Sequence, residues 1–295
     1  MNVVLIPCWR RPEFLWHCME NIKLAEGAEA LHYIFRPDHG FDPDNLAIIE
    51  AFPFSKTVAP TPRTPYQLAK QSFSLLTGYQ LAAAKTDGLV FMVEEDVMVA
   101  TDFFRWHEAV HAHSPDLFCS IGVANPNRYP TPTSEDTGAY YLGGSDYCSL
   151  GVCFSAQVIR ERIQPACASS YFINPVSHCE RQYLGLPIGK SYAEQDGLIR
   201  RIQMIAGDEA PIAWPWRPRA YHAGFYGKNR GAGPRIKLEQ RIQHLADVIY
   251  SDEAMRTFAK NPAWYEDSKP INLQTPSWTD QRLLPLDTAA HSVRY

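Results

Sequence analysis

Three acids in a row, Glu94-Glu95-Asp96, follow directly on the apolar run Leu89-Val90-Phe91-Met92-Val93. Ionised carboxylates at the end of such a run are not core material, because each is costly to bury unpaired. Repulsion among them is relieved by a cation. Successive strand residues point to opposite sides, which puts Glu94 and Asp96 on one face and Glu95 on the other. One face can then hold a divalent ion while the other meets a ligand hydroxyl. Hard oxygen ligands select Mg²⁺ or Mn²⁺, ions that proteins hold together with water and diphosphate oxygens. The plainer alternative is an acidic loop or helix start, with Asp96 or Asp102 capping a helix that begins near Thr101. The position after a buried strand favours function, since ligands of open α/β sheets bind at the carboxyl ends of the strands.

The elements that must position this triplet read as alternating strands and helices. Val3 to Ile6 is a strand stopped by Pro7, and Pro12 to Leu24 is a helix with Phe14, Leu15, Cys18, Met19 and Ile22 on one face. A second strand, Leu31 to Phe35, runs into the turn-rich Arg36-Pro37-Asp38-His39-Gly40. A short helix over Asp44 to Ala51, a strand near Ser55 to Ala59 and a long helix over Tyr66 to Lys85 follow. Leu89 to Val93, continuously apolar, is expected to be a central strand covered on both faces. Thr101 to His113 reads as a helix, Leu117 to Val123 as a strand, Asn125 to Gly144 as a long polar loop and Leu150 to Phe154 as a strand. Helices are expected over Ala156 to Ile163 and Glu194 to Ile205. Beyond Pro211 the pattern turns irregular, apart from an amphipathic helix over Ile236 to Tyr250. The alternation over the first hundred or so residues predicts an open α/β sheet with parallel strands.

Composition narrows the classes. The chain has 295 residues, and its apolar runs are far shorter than the roughly 18 residues that span a bilayer. Mean hydropathy is −0.28. With the first strand beginning at Asn2, there is no room for a secretory signal, so the expected compartment is the cytoplasm. Seven cysteines, an odd number with no C-x-x-C pair, suit reduced and mostly buried thiols. Fifteen Tyr, 14 Phe and 7 Trp supply flat surfaces that suit sugars and bases as well as a core. The net charge of −4 is unevenly spread: Arg217 to Arg241 holds seven basic residues against Glu239 alone, so that stretch is +6 and the remainder −10.

Leu89 to Phe104, with its apolar strand, acidic triplet, short hydrophobic stretch and Asp102-Phe103-Phe104 helix start, resembles the metal-binding segment of GT-A glycosyltransferases. It is most similar to the inverting enzymes that transfer N-acetylglucosamine to mannose of N-glycans, whose triplet is E-D-D or D-x-D where this one is E-E-D. The resemblance implies that Asp96 coordinates a metal bridging the diphosphate of a nucleotide sugar, with Glu95 near the ribose or sugar and Glu94 close by. The opening Ile6 to Leu15 resembles the first strand and loop of such transferases, in which Arg10 or Arg11 would face the diphosphate, a task suited to a planar cation. A solvated arginine pair is the alternative. Asp38-His39-Gly40 resembles the turn whose Asp contacts uracil or ribose. Asp146 to Phe154 resembles the acceptor-side segment.

Tyr192 to Arg201 resembles the helix start that carries the catalytic base of inverting members, with Asp196 the first choice and Glu194 the second. Inverting transfer needs one carboxylate to deprotonate the acceptor hydroxyl. A cap with favourable dipole placement is the alternative. Tyr221 to Gly231 resembles the loop that closes over the donor, which would make His222 a metal ligand and bring Lys228 or Arg230 to phosphate; neutral imidazole is a competent ligand for Mn²⁺.

The expected architecture is an α/β GT-A (Rossmann-like) fold, with a mostly parallel central sheet flanked by helices and an irregular C-terminal extension. Residues 1–231 would form the catalytic domain, with a donor half to about 125 and an acceptor half from about 126. Residues 232–295 would form a helix and an extended tail packed on the same domain. The expected activity is metal-dependent inverting transfer from a UDP-sugar, with Mn²⁺ or Mg²⁺, to a glycan, a small molecule or a hydroxymethylated base of DNA. The +6 stretch and the Tyr-rich loop Tyr129 to Tyr147 motivate the DNA acceptor. A non-catalytic nucleotide- or glycan-binding module is the alternative of another class. A sugar nucleotidyltransferase fits less well, because Pro7 to Pro12 lacks the glycines of a phosphate loop.

Overall fold

The computed structural model describes residues 1–38, 42–66, 69–123, 140–143, 147–183, 194–207, 210–215 and 218–224. Lys228, Arg230, the expected helix over Ile236 to Tyr250 and the tail lie outside the described residues, as does most of the loop expected from Asn125.

The first half is built from β1 (Val3–Cys8), β2 (His32–Pro37), β3 (Lys56–Val58) and β4 (Leu89–Met92), all parallel in the order β3-β2-β1-β4. Parallel neighbours need crossovers, and α1 (Pro12–Lys23), α2 (Pro43–Ala51) and α3 (Lys70–Ala83) supply them. Val3 to Ile6 and Val90 to Met92 are fully buried, in keeping with strands covered on both faces. The α1 face of Phe14, Leu15, Cys18, Met19 and Ile22 is buried as its spacing requires. Proline at the first helical position starts α1 and α2, and the Asp42 carboxylate caps α2 by accepting from the Asp44 and Asn45 amides.

The sheet continues past β4 as β8 (Val152–Ser155), β6 (Cys119–Ile121), β9 (Ile212–Pro215) and β7 (Tyr140–Gly143). β8 runs antiparallel to both its neighbours and β7 antiparallel to β9, so the other six strands share one direction. The result is a mixed α/β sheet whose parallel character is concentrated in its first four strands. Helices α4 (Phe103–His113), α5 (Ala156–Val158, continued by helical turns to Ala166), α6 (Ser169–Ile173), α7 (Pro175–Gln182) and α8 (Gln195–Ala206) complete the described residues. All seven cysteines are free thiols, five of them buried. Among the described residues no helix is long and apolar enough to cross a membrane.

Two strands form a separate antiparallel ribbon, β5 (Val97–Val99) with β10 (Ala220–His222). It docks where small residues let backbones approach. The Arg219 and Ala220 amides donate to Gly122 O at 2.7 and 3.0 Å, and the Gly122 amide donates to Gly151 O at 2.8 Å. A Cβ on Gly122 would lie 2.7 Å from the Phe103 ring, and Gly151 has φ +63° and would place its Cβ 3.0 Å from that of Ala220. A buried ion pair, Arg219 Nε to Asp102 Oδ2 at 3.0 Å, fastens the same junction, with the guanidinium over the Trp106 ring. Asp102 stands at the N-cap position of α4 but makes no side-chain cap; its carboxylate is committed to Arg219. Arg219, read with the basic stretch as a candidate for phosphate, is therefore part of the scaffold.

Several elements depart from the sequence expectation. Tyr140–Gly143, expected to end a loop, is strand β7, and the irregular region after Pro211 contains β9 and β10. The 97–99 segment is a strand, and residues 169–182 form two short helices. Each of these elements is eight residues or fewer, and the strands exist through partners distant in sequence rather than through their own pattern.

Candidate active site

Because β1, β2 and β4 are parallel, their carboxyl ends share one edge of the sheet, where they release Trp9–Arg11, Asp38 and Glu94–Asp96. The antiparallel β8 begins at that same edge, bringing Cys148 and Ser149 to it. The start of α8 adds Glu194, Gln195 and Asp196, and the end of β10 adds His222 and Gly224. Apart from Arg10, these residues line one cleft of about 720 Å³, together with Arg36, Lys70, Gln71 and Ser74. That volume lies in the range of small-molecule sites, roughly 300–1,000 Å³.

The strict alternation expected for the triplet does not apply, because β4 ends at Met92 and the chain turns at Glu95-Asp96, the Val97 amide closing back on Glu94 O at 2.9 Å. Glu94 faces β8 and α8: Ser149 Oγ lies 3.2 Å from its Oε1 and 3.4 Å from Asp196 Oδ2. Glu95 and Asp96 share one guanidinium. Arg11 Nε reaches Glu95 Oε1 and Arg11 Nη1 reaches Asp96 Oδ2, each at 2.6 Å. The Trp9 amide donates to the other Glu95 oxygen at 2.5 Å, and His222 Nε2 lies 3.2 Å from Asp96 Oδ2.

These contacts separate the carboxyls electrostatically. Burial pushes Glu94 up to about 8, reinforced by the charges of Asp96 and Asp196. Burial also raises Glu95, to about 7, against the pull of Arg11. Asp96 feels the same burial, but hydrogen bonding to His222 and the charge of Arg11 prevail and hold it near 2. Asp196 is raised by burial to about 6, with hydrogen bonds from Ser149 and from Gln195 Nε2 at 3.1 Å acting the other way. At neutral pH the site therefore holds an ionised Asp96, a largely ionised Asp196 and a largely protonated Glu94. One Ser149 hydroxyl proton serves one carboxyl at a time, so a proton retained on Glu94 would satisfy the remaining contact.

A divalent ion fits this geometry at Asp96. Its Oδ1 is buried without a hydrogen-bond partner, and it stands next to the imidazole of His222. Gly224 keeps space open beside the pair: a Cβ there would collide with both Asp96 Oδ2 and His222 Nε2. Among the described residues no group of three or more His, Cys, Asp and Glu side chains is set to hold a metal by itself. An ion on Asp96 and His222 would draw its other ligands from phosphate oxygens and water, the usual arrangement for Mg²⁺ and accessible to Mn²⁺.

The remaining sequence candidates are placed as follows. Asp38 lines the cleft, its amide donating to Cys8 O at 2.9 Å. Of the two arginines, Arg11 lines the cleft, whereas Arg10 is exposed and is not part of its wall. Glu194 is exposed at the cleft rim and precedes α8 without capping it. Ser149 and Gln195 lie in segments singled out from the sequence but had no assigned role. Arg36 lay in the turn-rich segment after the second strand without an assigned role: its guanidinium donates to Ala59 O, Pro60 O and Thr77 Oγ1, tying α3 to the wall of the cleft.

Neither a family model nor a curated protein sequence matches the chain. Solved structures similar to it include Staphylococcus aureus TarS residues 1–349, 8% identical over 88% of this chain and 73% of that one, with a TM-score of 0.47. The galactosyltransferase LgtC, in complex with donor and acceptor sugar analogues, is 10% identical over 86% of this chain and 99% of its own, also with a TM-score of 0.47. Glucosyl-3-phosphoglycerate synthase from Mycobacterium tuberculosis, in complex with Mg²⁺ and UDP, is 15% identical over 53% of this chain and 57% of its own, with a TM-score of 0.36.

Proposed function

We propose that the chain is a metal-dependent glycosyltransferase of the GT-A type, acting by inversion on a UDP-sugar. The observation that carries this reading is the division of labour within one cleft. A strongly acidic carboxylate, Asp96, stands beside an imidazole, while a second carboxylate of raised basicity, Asp196, stands across Glu94 and Ser149 from it. Two carboxyls whose surroundings push their pKa values apart are how one site holds a charge-binding group and a proton acceptor together.

In this reading Asp96 and His222 would hold Mn²⁺ or Mg²⁺, and the ion would supply charge neutralisation at the departing diphosphate. Asp196 accepts the proton of the acceptor hydroxyl as that oxygen attacks the anomeric carbon, and it is ionised at neutral pH, as a base must be. Ser149 and Gln195 hold its two oxygens in place. Arg11 offers a planar cation to the diphosphate, and Asp38 stands at the β2 end for the nucleoside. Glu95 is bound on both oxygens by Arg11 and the Trp9 amide, so its role is to orient Arg11 rather than to meet sugar directly. Lys228 and Arg230 remain candidates for phosphate, and the acceptor is a glycan, a small molecule or a modified DNA base.

The test is a screen of nucleotide sugars for metal-dependent donor hydrolysis. UDP-sugars should be turned over in Mn²⁺, with Asp96→Asn and Asp196→Asn inactive. Turnover that is indifferent to chelator and to both substitutions would sink the reading, and binding without any turnover would favour a non-catalytic module.

A further inference from the structure

We propose that Arg11 is an internal counter-cation that holds the metal-binding carboxylate until a nucleotide diphosphate arrives, and so makes metal and nucleotide bind cooperatively. This rests on the reading of the site given above and adds an order of events to it. Arg11 spans two acids at once, with Nε on Glu95 and Nη1 on Asp96, both at 2.6 Å. Its side chain is 17% exposed, and the guanidinium lies over the Phe14 ring, which supports it from below. Among the described residues, Arg11 and His222 are the basic side chains within 4.0 Å of the triplet's carboxylates. Arg36, the other guanidinium on the cleft wall, donates to backbone carbonyls and a threonine instead.

A divalent ion and Nη1, which rests on Asp96 Oδ2, are rivals for the same carboxylate. The two positive charges repel at such a distance, so an ion bound on Asp96 must release that half of the guanidinium. The Nε bond to Glu95 is on the other half and can persist, leaving the freed edge at the cleft beside the ion. A planar guanidinium there matches phosphate oxygens in bidentate fashion. Metal alone thus breaks an ion pair and offers Arg11 nothing in return, whereas metal with a diphosphate gives it a new anion. By linkage the effect is reciprocal: the nucleotide tightens metal binding by the same factor as the metal tightens nucleotide binding.

The experiment is Mn²⁺ titration of the full chain, read as loss of the free-ion electron paramagnetic resonance signal, with and without UDP. Wild type should bind Mn²⁺ weakly alone and at least about tenfold more tightly with UDP, a coupling within the usual allosteric range. Arg11→Gln and Arg11→Met should bind Mn²⁺ alone about tenfold more tightly than wild type and keep only that part of the enhancement by UDP that direct ligation of the ion by diphosphate supplies. Arg11→Lys, which keeps a cation, should retain weak binding of metal alone. Thermal unfolding of each variant establishes that it is folded. If the neutral variants bind Mn²⁺ alone no more tightly than wild type, while wild type still binds Mn²⁺ with UDP, the role of Arg11 is overturned and the proposed function stands. If wild type takes up no Mn²⁺ even with UDP, both fall.

Discussion

Replacing Arg219 by Met tests whether the β5–β10 ribbon is held by its buried ion pair. Arg219 and Asp102 side chains are 8% and 5% exposed, and Asp102 Oδ1 already has no hydrogen-bond partner. Removing the guanidinium therefore leaves a carboxylate with little to replace it. Breaking a buried pair from one side costs about 3–5 kcal/mol. At about 2–4 °C per kcal/mol for a domain of this size, the melting temperature should fall by roughly 6–20 °C. Asp102→Asn in the same background removes the stranded charge, so the double variant should recover a substantial part of the loss.

The deficit should also depend on pH. Burial already raises the Asp102 carboxyl, although Arg219 opposes it, and without Arg219 it rises further. The folded variant then holds a proton that the unfolded chain releases near 3.9, so its stability relative to wild type falls as pH rises. Thermal and urea unfolding at pH 5 and 7.5 measure this, and the single variant should be closer to wild type at pH 5. A loss below about 1 kcal/mol, or a double variant no more stable than the single one, would refute the assignment.

Other consequences follow from the same geometry. Gly224→Ala should weaken Mn²⁺ binding in the presence of UDP by about 10–100-fold, the range seen when the groups around a metal ligand are disturbed, and calorimetry reads it directly. Asp196→Asn should lower kcat by roughly 10²–10⁴-fold with little change in UDP affinity, checked by steady-state kinetics alongside binding. His111 is buried against Ser120 and held down to about 4 by burial, whereas the unfolded side chain titrates near 6.5. Between those values the unfolded chain binds more protons, so acid destabilises the fold, by about 2 kcal/mol from this residue between pH 7 and 5. His111→Gln should remove that share of the pH dependence in urea unfolding.

The chemistry was most legible where physical constraints are strongest. An apolar run followed by three acids reads as a buried strand that ends at a polar edge, and β4 is followed by Glu94 to Asp96 on the wall of the cleft. The α1 face was readable because five apolar residues at helical spacing need a sheet to cover them. What the pattern missed was made elsewhere in the chain. β9 and β10 are three or four residues long among prolines, and β6 and β5 complete them. The sidedness of the triplet depended on where β4 stops, which its apolar run does not reveal. Arg219 was read with the basic stretch around it, but Asp102, 117 residues earlier, decides its role.

The central claim is that Asp96 is the protein's hold on a metal that in turn holds a nucleotide diphosphate. Calorimetric titration of UDP in Mn²⁺, in chelator, and with Asp96→Asn tests it most directly. The expected result is binding in Mn²⁺ that is lost both in chelator and in the variant. UDP binding of equal strength in all three conditions, or none in any, would contradict it.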